Sequence, residues 1–290
     1  MNPMSRRIAL IGAGQIGLRS AIALSEALIA RLPGAGADLT QGAAIGQTAS
    51  RPWPEPAEPW RMAQTWRDLL FAHWALPPQD VARILPAALE LDTFDGRAWV
   101  GVTPFEISGL RPRGGLPVPA VSRFPELNVR TYVTLGGKPG IYFLSLDAAS
   151  LLAVLAARRT YRLPYFQARM AIERRRAGVI DYLSERIASD GEPAGFEAEY
   201  HPIGEAFAAT TGSLDYFLTE RYCLYTIDEA GRPLRAEIQH PPWALHPAVA
   251  AIRRNTMTRP WGITLPDEPP VLHYSRVQRV VIWPLRPATP

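Results

Sequence analysis

The sequence predicts an α+β fold made mainly of antiparallel β-sheet, and three observations lead there. Short segments that alternate polar and apolar residues recur from Leu89 to Trp283. Several are joined by tight-turn residues, at Asp95-Gly96, Gly136-Gly-Lys-Pro-Gly140, Ala177-Gly178 and Glu229-Ala-Gly-Arg232, and closely spaced hairpins build antiparallel sheet. Helical periodicity appears in only a few isolated places, too few to cover both faces of a parallel doubly wound sheet. A sheet of that kind closes or stacks to protect its edges, and so encloses a cavity.

The elements follow in order. Residues 1–59 read as an N-terminal extension and a linker, the linker being Arg51 to Pro59 with its four prolines. Within the extension, Gly12, Gly14 and Gly17 match the dinucleotide pattern G-x-G-x-x-G. The loop-like Leu32-Pro-Gly-Ala-Gly that follows supplies no second strand ending in an acid, so the match carries no nucleotide site. Ser5-Arg-Arg7 suggests a twin-arginine signal, but Gln15, Arg19 and Glu26 interrupt the apolar segment after it. Residues 60–287 read as one domain. Met62, Trp66, Leu69, Leu70 and Trp74 predict a helix from Trp60 to Trp74, and a short helix is expected from Gln79 to Leu85. Strands are expected from Leu89 to Asp92 and Arg97 to Phe105, then as a hairpin from Phe124 to Phe143. A helix over Leu146 to Arg158, N-capped by Asp147, precedes a hairpin of Tyr165 to Arg174 and Val179 to Arg186. After the strand Gly195–Tyr200 come a helix capped by Ser213 and the hairpin Arg221–Ile227 with Pro233–His240. A helix from Pro247 to Arg254 and a strand from Ser275 to Trp283 close the chain.

Composition narrows the function classes. Of 290 residues, 47% are hydrophobic and 20% charged, which suits a packed globular protein and not a disordered one. The formal charge of +4 comes from thirty arginines and one lysine, Lys138. The arginines are scattered, with a single run at Arg174-Arg-Arg176, so no nucleic-acid face is expected. The lone Cys223, in Tyr222-Cys-Leu-Tyr225, reads as a buried inert thiol; no Cys/His spacing suits zinc, and neither metal nor cofactor is expected. No apolar run reaches the ~20 residues that cross a bilayer, so no membrane association is expected, and a reducing cytoplasm fits.

The most informative stretch is Phe124-Pro-Glu-Leu-Asn-Val-Arg-Thr-Tyr-Val133. On a strand, Glu126, Asn128, Arg130 and Tyr132 share one face. Such a polar row is either a solvated sheet face or the wall of a binding pocket.

From about Trp66 to Pro284 the sequence resembles the YqjF-like bacterial family, placed in the acetoacetate decarboxylase-like superfamily. The resemblance rests on Phe71-Ala-His-Trp74, Leu91-Asp-Thr-Phe-Asp-Gly96, Trp99-Val-Gly-Val-Thr-Pro-Phe105, Arg111-Pro-Arg113 and the Phe124–Val133 stretch. It continues in Gly140-Ile-Tyr-Phe143, Leu163-Pro-Tyr-Phe166, Glu220-Arg-Tyr222 with Tyr225, and His240-Pro-Pro-Trp243. It implies a curved sheet closing into a cone or barrel with a central pocket and a few peripheral helices. Relatives in that superfamily tend to assemble, so it also allows a homo-oligomer. Decarboxylases of that kind form a Schiff base on a lysine amine of lowered pKa. Glu126 through Tyr132 looks similar to their acid-to-lysine segment, with Arg130 near the lysine's place, and a guanidinium cannot form an imine. Lys138 falls in a turn, where an ordinary solvated amine is expected.

The candidate site is therefore Glu126, Asn128, Arg130, Arg221, Tyr222, Tyr225, His240 and Trp243. Arg130 and Arg221 suit an anionic small molecule. Glu126 is a general base or neutralises Arg130, and pairing is the expected role because an unpaired buried arginine is costly. His240 is a general acid/base or a structural histidine; His73 reads as core, and His201, His246 and His273 as dispersed. Three functions stay open: a carboxylate-binding protein without Schiff-base chemistry; a lysine-independent lyase, hydrolase or isomerase on a small oxo- or hydroxy-acid, using Glu126 or His240; and an interaction module whose interior is filled.

Overall fold

The computed structural model describes Gln41 and residues 44–117, 122–187 and 191–289; the glycines of the G-x-G-x-x-G match and the Ser5-Arg-Arg7 segment lie outside these. Thirteen strands join in one sheet: β1 Met62–Leu76, β2 Glu90–Leu91, β3 Ala98–Pro112, β4 Phe124–Leu135, β5 Lys138–Ala148, β6 Tyr165–Arg174, β7 Ile180–Arg186, β8 Gly195–Pro202, β9 Cys223–Ile227, β10 Pro233–Gln239, β11 His246–Asn255, β12 Val271–Ile282 and β13 Arg286–Pro287. Among the described residues three short α-helices are inserted singly: α1 Pro78–Ala82, α2 Leu151–Tyr161 and α3 Leu214–Thr219. Only the β5–β6 and β5–β9 pairings described are parallel.

The strand order closes on itself twice. One ring of nine strands runs β5-β6-β7-β8-β11-β12-β1-β3-β4 and back to β5. A second ring of seven shares the wall β5-β4-β3-β1-β12 and returns through β10 and β9. Because side chains alternate faces along a strand, the shared wall serves both interiors. Leu127 and Val129 of β4 and Val100 and Val102 of β3 face the nine-strand ring, where they pack with Tyr182, Phe196 and Tyr200. Glu126, Asn128 and Arg130 face the seven-strand ring.

Two expected helices are strands. The Trp60–Trp74 stretch is β1, paired with both β12 and β3. It is buried on both faces through Leu69–Trp74, and Asp68, at φ 51°, shifts its register. Double-sided burial plus a bulge turns a period of two into apparent helical spacing. The Pro247–Arg254 stretch is β11, paired with β8 and alternately exposed; its alanines favour a helix, and the open edge of β8 overrides them. Asp147 is no helix cap either. It lies buried in β5 against Arg186 (2.6 Å), and Ser150 caps α2 by accepting from Ala153 N. The Asp95-Gly96 turn forms, with both residues at positive φ (49° and 71°), but β2 pairs with β4, not β3. The Pro-rich stretch is seated on the sheet: Arg51 pairs with Glu237, and Glu58 O accepts from Trp283 Nε1.

Candidate functional site

The seven-strand ring encloses a cavity of about 130 Å³, to which all seven strands contribute lining residues. Along β3 and β4 the lining changes character step by step. Arg130 is opposite Gly101, Asn128 opposite Thr103, Glu126 opposite Phe105 and Phe124 opposite Ile107. The cationic end thus grades through an amide and a hydroxyl to an apolar end, with Ala153 of α2 packed there beside Leu110.

Arg130 is 4% exposed. Its Nη2 donates to Leu218 O at 3.0 Å, its guanidinium lies 5.0 Å from the Phe71 ring centroid, and its Nε has no hydrogen-bond partner. No carboxylate among the described residues lies within ion-pair distance of it. Partial compensation comes from the carbonyl end of α3: Leu218 O also accepts from Tyr132 OH (2.7 Å), and Phe217 O accepts from Arg221 Nε (2.6 Å). Tyr132 OH gives its one hydrogen to Leu218 O and so accepts from His73 Nε2 (2.7 Å). His73 is held neutral, its pKa well below the usual value, first by burial and then by the Arg130 charge. Gly101 makes room for this layer, since a Cβ there would stand 2.8 Å from the His73 ring and 3.4 Å from Arg130 Cγ.

Glu126 does not pair with Arg130. Four residues along a strand place their Cα atoms about 13 Å apart, beyond the reach of a direct ion pair here. Its carboxylate instead accepts from Tyr165 OH at 3.0 Å. Burial raises its pKa from 4.5 to about 8, against the lowering effect of that hydrogen bond. At neutral pH it is chiefly a carboxylic acid, able to donate a proton.

Asn128, Arg221, His240 and Trp243 also line the cavity. Asn128 Oδ1, Thr103 Oγ1 and Trp243 Nε1 are buried without a partner. Arg221, however, is already committed: Nη1 pairs with Asp92 at 2.6 Å and the guanidinium lies 4.2 Å from the Phe217 ring centroid. His240 directs both ring nitrogens at carbonyl oxygens, Pro241 O (2.8 Å) and Arg221 O (3.3 Å), and stacks on Tyr222. Burial lowers its pKa, and that geometry is the structural alternative for His240.

Tyr222 and Tyr225 are not among the cavity's lining residues. Tyr222 OH donates to Glu220, and Tyr225 OH donates to Lys138 O while its ring packs with Leu89 and Val133. Three residues apart, they do not share a strand face: Tyr222 stacks on His240, and Tyr225 packs in a neighbouring core. His273 pairs with Asp215 (3.1 Å), and His201 on β8 and His246 on β11 are not among the cavity's lining residues. Lys138 Nζ is held outside the cavity, 3.4 Å from Glu237 and 4.6 Å from the Trp53 ring centroid. As the chain's one lysine, it leaves no amine among the lining residues. Cys223 is buried, with its pKa pushed up to about 12, chiefly by burial.

Sequence reasoning missed Thr103, Tyr165 and the α2 contribution. Thr103 is the cross-strand partner of Asn128, visible only once the register is known. Among the described residues no group of three or more His, Cys, Asp or Glu could hold a metal, and no helix is long and apolar enough to cross a membrane.

Residues 63–279 match DUF2071, a family described as an uncharacterized conserved protein. The chain belongs to the DUF2071 family. This DUF2071 protein is 49% identical over 227 residues to the uncharacterized protein YqjF of Bacillus subtilis (strain 168), across 78% of this chain and 92% of that one. Its fold is similar to the enduracididine biosynthesis enzyme MppR complexed with pyruvate, with a TM-score of 0.55 at 12% identity, covering 79% of this chain and 91% of that one. It is likewise similar to an acetoacetate decarboxylase-like enzyme from Sphingomonas wittichii RW1 (TM-score 0.54, 12% identity, 82% and 96% covered). The acetoacetate decarboxylase of Legionella pneumophila gives a TM-score of 0.54 at 11% identity, over 85% and 95% of the two chains. At these identities the likeness establishes an acetoacetate decarboxylase-like fold for the DUF2071 chain.

Proposed function

We propose that this protein binds a small anionic molecule, of the carboxylate kind, in the seven-strand ring and without Schiff-base chemistry. One observation carries the reading: Arg130 lines the cavity, is almost fully buried, and has no carboxylate partner among the described residues. A buried guanidinium left this way is costly unless something charged completes it, and its planar fork suits a carboxylate. The position of Lys138 outside the cavity supports the non-covalent part. That a neighbour of the same fold is complexed with pyruvate is consistent with a small acid in such a ring. The test is thermal unfolding of the full chain in a pyruvate or acetate titration, beside Arg130→Met. Both acids should raise the midpoint of the parent and leave the variant unmoved; equal behaviour of the two proteins would defeat the reading.

A second reading has its own observation. Glu126, protonated near neutrality and bonded to Tyr165, is placed to donate and recover a proton in lysine-independent chemistry on an oxo- or hydroxy-acid. Exchange of the C3 hydrogens of pyruvate into D2O, followed by proton NMR, would be accelerated by the parent and not by Glu126→Gln. No acceleration over buffer by the parent would leave binding alone.

A further inference from the structure

The anion-binding reading leaves the body of the ligand unspecified, and the cavity's polarity gradient specifies it. Beyond Arg130, the side chains alternating into the ring pass from Asn128 and Thr103 to Phe105, Phe124, Ile107 and Leu110. The one ionisable group on that path, Glu126, is bonded to Tyr165 and has no cation beside it. Among the lining residues, cations stand at the Arg130 end, with Arg221 already paired to Asp92, and none stands at the apolar end.

The far end is covered by α2, which lines the cavity with small residues, Ala153, Ala156, Ala157 and Thr160. Ala156 and Thr160 are at once lining and exposed, so the mouth opens beside them. The same helix carries Leu151, Leu152 and Leu155, which are 47%, 63% and 53% exposed. Three leucines at i, i+1 and i+4 beside a mouth make an apolar rim. From guanidinium to rim, the path is polar at its closed end and apolar toward solvent.

We propose that the ligand is a monocarboxylate of about six carbons, seated with its carboxylate on Arg130 and its apolar body directed toward α2. This rests on the anion-binding reading. The size follows from the 130 Å³ of space, close to what an apolar cavity needs to take up benzene. Hydrophilic three-carbon acids satisfy Arg130 and leave the Phe105–Phe124 end empty. Dicarboxylates place a second charge against aromatic carbon, which is costly.

The test is isothermal titration of the full chain at neutral pH with hexanoate, pyruvate, succinate and 1-hexanol. Each buried methylene is worth roughly a factor of four, so hexanoate should bind about tenfold or more tighter than pyruvate, and succinate no tighter than pyruvate. Hexanol, of the same length without the charge, should bind about tenfold or more weaker than hexanoate. Ala153→Phe, which fills the apolar end, should weaken hexanoate about tenfold and move pyruvate less than about twofold. Should that variant not fold, butyrate, hexanoate and octanoate on the unaltered chain probe the same end, with affinity rising along the series to hexanoate. Pyruvate or succinate binding as tightly as hexanoate overturns this inference and leaves the anion site standing. Hexanol binding as tightly as hexanoate, or no binding of any acid, overturns both.

Discussion

Glutamine at position 126 is the sharpest probe of the site's electrostatics. In the folded protein burial holds the Glu126 carboxyl at a pKa of about 8, against 4.5 for the ordinary group. Between those values the native state keeps a proton that the unfolded chain has released, so the native state binds more protons and stability falls as pH rises. The contribution is complete below pH 4.5, declines through neutrality, and has been lost once the pH passes the folded value near 8. Across that window the difference is worth about 5 kcal/mol, an upper figure because buried groups relax and admit water. Glu126→Gln keeps the shape and an acceptor for Tyr165 OH but cannot ionise, so it lacks this slope. Urea unfolding followed by far-ultraviolet circular dichroism at about pH 5 and about pH 8.5 measures it. The variant should gain on the parent by about 3–5 kcal/mol between the two conditions. Parallel curves, with the difference constant within about 0.5 kcal/mol, would mean that Glu126 is solvated or paired and that the account of its protonation is wrong.

Other outcomes follow from the same geometry. Gly101→Ala pushes a methyl to 2.8 Å from the His73 ring; a loss of about 1–3 kcal/mol in unfolding free energy is expected, and an unchanged urea midpoint would contradict the close approach. Asp147→Ala strands Arg186, its partner at 2.6 Å with both side chains buried, and should cost about 3–5 kcal/mol, read from the same unfolding curves. Borohydride added to the protein with pyruvate should leave its intact mass unchanged, because Lys138 is held at Glu237 outside the cavity. A reduced adduct on Lys138 would refute that placement.

Much of the fold was legible where local chemistry decides it. The hairpins of β6 with β7 and of β9 with β10 are announced by their turn residues and alternating strands, and Ser213 announces α3 by its cap. What failed were strands whose environment overrides their pattern. β1, buried on both sides with a bulge at Asp68, looks helical, and so does the alanine-rich β11. The site divides in the same way. Alternation along β4 placed Glu126, Asn128 and Arg130 on one face, because it is a property of a single strand. The expected Glu126–Arg130 pair failed because sharing a face does not shorten the distance along it. Tyr222 and Tyr225 were assigned by neighbourhood in sequence, but Tyr222 OH is taken by Glu220 and the Tyr225 ring packs with Leu89 and Val133, contacts that only the tertiary packing sets. Thr103 and Tyr165 required the cross-strand register and the packing of β6 against β5, which no local pattern encodes.

On the proposed reading an acid lies in the seven-strand ring with its charge on Arg130 and no covalent bond to the protein. A crystal soaked with 6-bromohexanoate tests this directly, since anomalous scattering locates the bromine independently of the rest of the ligand. The account predicts carboxylate oxygens within hydrogen-bond distance of the Arg130 guanidinium and bromine beside Ala156 at the mouth. Bromine with no ligand density at Arg130, or density continuous with Lys138 Nζ, would contradict it.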